Sequence, residues 1–121
     1  MPAPARPAKD EYRVEFERYI ARVPDADILT ALAEQGEAWG AFLAAAPAEF
    51  ADSRYAPDKW TVRQVVAHLL DGELVFAYRA LAIARGDTQP LPGFDENEYT
   101  ARAGFDPAIG FDQLTFTVGC R

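Results

Sequence analysis

The chain has 121 residues, 50% of them hydrophobic, and a net charge of −7 at neutral pH. That is enough for one small domain with a modest core, while the acidic balance disfavours a nucleic-acid surface and docking on an anionic membrane. No apolar run is long enough to span a bilayer, and the N-terminus MPAPARPAKD lacks the apolar core of a signal peptide. The single cysteine, Cys120, can make no internal disulfide, so the expected setting is the cytoplasm.

Residues 1–9 form a Pro/Ala-rich leader, expected to be disordered. In 10–23, Tyr12, Phe16, Tyr19 and Val23 recur at helical spacing, which predicts a short amphipathic helix. Pro24 breaks it, and Asp25 or Asp27 caps the next helix. That helix is expected over 28–46, with Ile28, Leu32, Trp39, Phe42, Leu43 and Ala46 as its apolar stripe and Gln35 the polar residue on it. It ends at Ala46 because the residue before a proline, here Pro47, disfavours the α region. The connection 47–59 carries Phe50 and Tyr55, and Pro57-Asp58 signals a turn.

The most informative stretch is WTVRQVVAHLLDGELVFAYRALAIAR, residues 60–85. It reads as one long helix started by a capping box of Thr61 and Gln64, with Trp60 and Val65 spaced for a hydrophobic staple. Gly86 suits the left-handed residue that closes such a helix. Val62, Val65, Val66, Leu69, Phe76, Ala80, Ile83 and Ala84 fall on one face, and Glu73 projects into its middle. A carboxylate inside an apolar stripe is costly unless paired, protonated or metal-bound. His68, the sole histidine, lies on the flank of that face, with Asp71 one turn on and Gly72 above it.

Gly86-Asp87 then turns the chain, and Asp95 with Glu98 repeats the capping logic, flanked by Phe94 and Tyr99 as a second staple. A short helix is expected over 96–103, ending at Gly104. In the tail, GFDQLTFTVGCR alternates Leu114, Phe116 and Val118 against Thr115 and Thr117, a strand periodicity in an otherwise helical chain. The organisation read from these patterns is a leader, 1–9, a helical domain, 10–112, and an atypical tail, 113–121.

The run YAPDKWTVRQVVAHLLDGELVFAYRALAIARGDTQPLPGFD resembles the characteristic segment of the DinB-like (DinB/YfiT-like) family. The resemblance covers 55–95, and the helical pattern before it fits from about Asp27. It implies an all-α fold: a DinB-like helical bundle, here a partial up-and-down four-helix bundle of two long helices plus short ones. The family's C-terminal helices are expected to be lacking, through truncation, a shifted reading frame or a natural short ending. The resemblance also implies metal-dependent chemistry, in which the histidine of the H-L-x-D-x-E helix, His68 here, helps to hold a divalent metal such as nickel or zinc. In the family two further histidines complete that site. Known branches act on low-molecular-weight thiols such as bacillithiol, mycothiol or glutathione, with the metal holding the thiol as thiolate.

A catalytic metal site needs about three protein ligands and an open position. With His68 alone, this chain is expected to bind metal weakly or not at all unless a second subunit contributes. The plainer reading, a half-buried imidazole hydrogen-bonded to Asp71, is preferred for His68. Asp71 would orient the His68 ring or stand as a solvated acid. Glu73 would serve as a general base or, preferably, as a buried acceptor for Tyr55, Trp60 or Arg79 that fixes helix register. No residue is assigned as catalytic. Trp39, Phe42, Trp60 and Phe76 are read as core before pocket, Tyr78 and Arg79 as surface, and Cys120 as incidental.

Two functions therefore compete: a metal-dependent, thiol-using enzyme with an incomplete site, and a non-catalytic helical module. Two long amphipathic helices and short ones leave an apolar face uncovered, which predicts instability or self-association, the latter as a homodimer.

Overall fold

The computed structural model describes residues 4–24 and 27–103, so Asp25, Gly104 and the tail 113–121 with Cys120 lie outside the described residues. The described chain is all-α, as expected. A 3-10 turn, Val14–Phe16, leads into α1, Glu17–Ile20; then come α2, Ile28–Ala45, a second 3-10 turn, Ala48–Asp52, α3, Val62–Ala84, and α4, Glu96–Arg102. The chain divides into two compact units, Met1–Phe42 and Leu43–Arg121.

In the first unit, the single helix expected over 10–23 is a 3-10 turn followed by one α-turn. Arg6 fastens the end of α1, donating to the carbonyls of Ile20 at 2.7 Å and Val23 at 2.8 Å. Ile20 ends α1, where a helix leaves carbonyls without intrahelical partners, and Val23 lies three residues beyond it. Asp27 caps α2 as read, accepting from the N–H groups of Leu29 and Thr30 and from the Thr30 hydroxyl. Trp39 and Phe42 stack on α2 with centroids 5.5 Å apart. No described residue of this unit is buried.

The second unit holds the core: Leu43, Ala51, Val66, Ala67 and Ala82, with Arg63 and Thr100 the buried polar residues. α3 packs against the second 3-10 turn and against α4. The Val62 N–H donates to the Ser53 carbonyl at 3.0 Å, and Arg63 Nε donates to Asp52 at 3.2 Å, which ties the turn to the start of α3.

Both ends of α3 are built as the sequence indicates. The Gln64 N–H donates to Thr61 Oγ1 at 3.2 Å while Gln64 Oε1 accepts from the Thr61 N–H at 2.9 Å, a complete capping box. At the other end Gly86 N–H donates to Ile83 and Asp87 N–H to Ala82, the Schellman pattern, with Gly86 at φ +72°. Asp95 caps α4 through the N–H groups of Asn97 and Glu98, and the Phe94 and Tyr99 rings meet at 5.1 Å as the second staple.

The predicted stripe of α3 is not the face that the described elements bury. Of its eight residues only Val66 is buried; Leu69, Phe76 and Ile83 are 43%, 64% and 68% exposed. Periodicity identifies the face whose burial is favourable, but the elements packed on α3 meet it elsewhere, around Arg63, Ala67 and Ala82.

Candidate functional site

His68 lies two turns into α3, on the half-buried flank where the sequence places it. The capping box fixes the first turn of α3, and Trp60 enters immediately before it. That entry brings the Trp60 and His68 rings together, centroids 5.1 Å apart and tilted by 51°. His68 Nδ1 is buried and has no hydrogen-bond partner among the described residues.

Two expectations change here. The His68–Asp71 hydrogen bond does not form: Nδ1 is unpartnered, and the ring packs against an indole instead of a carboxylate. Asp71 is half-buried. Glu73, read as a buried acceptor, is exposed, because the apolar stripe around it is itself exposed. Of the acceptor's suggested partners, Tyr55 is exposed, and Arg79 donates to the Pro92 carbonyl at 2.8 Å with its guanidinium 5.4 Å from the Phe76 ring.

Sequence reasoning did not single out two features of this unit. Thr100 on α4 is buried with its hydroxyl unpartnered among the described residues, and Arg63 on α3 is buried beside Asp52. A polar residue on the inner face of a seven-residue helix gives little periodic signal, so α4 alone did not mark Thr100. In the first unit, an open cleft of about 520 Å³ is lined by Tyr19, Val23, Ile28 and Leu32 with Arg22 and Glu34 at hand. None of His68, Asp71 and Glu73 lines it.

As a metal centre this arrangement fits one donor and no more. An unpartnered ring nitrogen is a suitable ligand atom, but among the described residues no group of three His, Cys, Asp or Glu side chains comes together.

The DinB superfamily model matches residues 31–117, and the chain belongs to that superfamily. No curated protein and no solved structure matches it. The match contains α3 with His68, Asp71 and Glu73, and α4. Among the described residues no helix is long and apolar enough to cross a membrane.

Proposed function

We propose that this DinB-superfamily domain is related to metal-dependent enzymes, and that His68 is the side chain with which it meets a divalent metal, nickel or zinc. The centre is incomplete on the described residues of one chain. The observation that carries the reading is the buried, unpartnered Nδ1 of His68. An unsatisfied buried polar atom costs about 1–3 kcal/mol, and coordination is one way to remove that cost. The substrate class that goes with this reading is a small molecule or a low-molecular-weight thiol, and the setting is cytoplasmic, in keeping with a single cysteine.

The test is native mass spectrometry and metal analysis of the purified chain, with and without added nickel or zinc. Stoichiometric metal that disappears in His68→Ala supports the reading. Metal-free protein under both conditions removes it and leaves the second reading, a non-catalytic helical module. That alternative draws its support from the wide apolar face that α3 exposes.

A further inference from the structure

We draw no further inference here: the strongest candidate, the exposed apolar face of α3 along Leu69, Phe76 and Ile83, carries nothing because nothing in the structure shows what covers it.

Discussion

His68 rests against the ring of Trp60, 5.1 Å between centroids, while its Nδ1 is buried without a hydrogen bond among the described residues. The ring is thus held by packing, and one of its two nitrogens contributes only a desolvation cost. Replacing the imidazole by an apolar group removes that cost and keeps the contact. His68→Leu should therefore be neutral or stabilising by up to about 1–3 kcal/mol in urea unfolding without metal. The metal reading predicts the opposite order once nickel is added: wild type gains stability by mass action and His68→Leu does not. Loss of more than a few kcal/mol in metal-free His68→Leu would mean that Nδ1 has a partner that matters.

The start of α3 depends on a reciprocal pair, Thr61 and Gln64, joined at 3.2 and 2.9 Å. Thr61→Ala leaves the Gln64 N–H without that acceptor and should cost about 1 kcal/mol, within a range of roughly 0.5–2. Thr61→Ser, which keeps the acceptor, should cost a few tenths at most. Because Trp60 precedes the cap, Thr61→Ala should also loosen the Trp60–His68 contact, seen as a shift in tryptophan emission. An unchanged midpoint and unchanged emission would show that the cap is not what positions the indole.

Two glycines of this helix should respond in opposite directions. A Cβ at either Gly72 or Gly86 would meet nothing within 4 Å, so crowding does not decide the outcome. Gly72 has ordinary helical backbone in the interior of α3, and Gly72→Ala should stabilise by roughly 0.5–1 kcal/mol. Gly86 is held at φ +72°, and Gly86→Ala should destabilise by about 1–2 kcal/mol. Thermal unfolding of the two variants checks the sign. Destabilisation by Gly72→Ala would reveal a neighbour that the described residues do not include.

What was legible in the sequence follows from how local each interaction is. Thr61 with Gln64, Asp95 with Glu98, Gly86 and the Pro57-Asp58 turn act within a few residues, and each appears where it was read, Asp58 with φ +61°. Phe94 with Tyr99 is equally local. The stripe of α3 was legible as a stripe, yet its covering depends on a partner surface that periodicity does not specify. Glu73 was misjudged for that reason: buried if the stripe is covered, exposed here. The His68–Asp71 bond failed differently. One turn of separation permits the contact, but Trp60, entering from before the helix, takes the space beside the ring.

Tyr12 gives the first unit a pH dependence at alkaline pH. Its hydroxyl donates to Glu17 Oε2 at 2.6 Å, and this hydrogen bond, with partial burial and the negative charge of Glu17, raises its pKa above the ordinary value of 10.0. A raised folded pKa means that the folded chain holds the phenolic proton more tightly than the unfolded chain does. The contribution is complete below the unfolded pKa, near 10, and is lost as pH rises through the higher folded value. Between pH 5 and 9 this residue therefore adds no pH dependence. A phenolate absorbance titration near 295 nm should show a late-titrating component that is missing in Tyr12→Phe and moves down in Glu17→Gln. If the component lost in Tyr12→Phe titrates with the other tyrosines, the hydrogen bond to Glu17 does not persist in solution. Arg6 and its carbonyl contacts then still hold the end of α1.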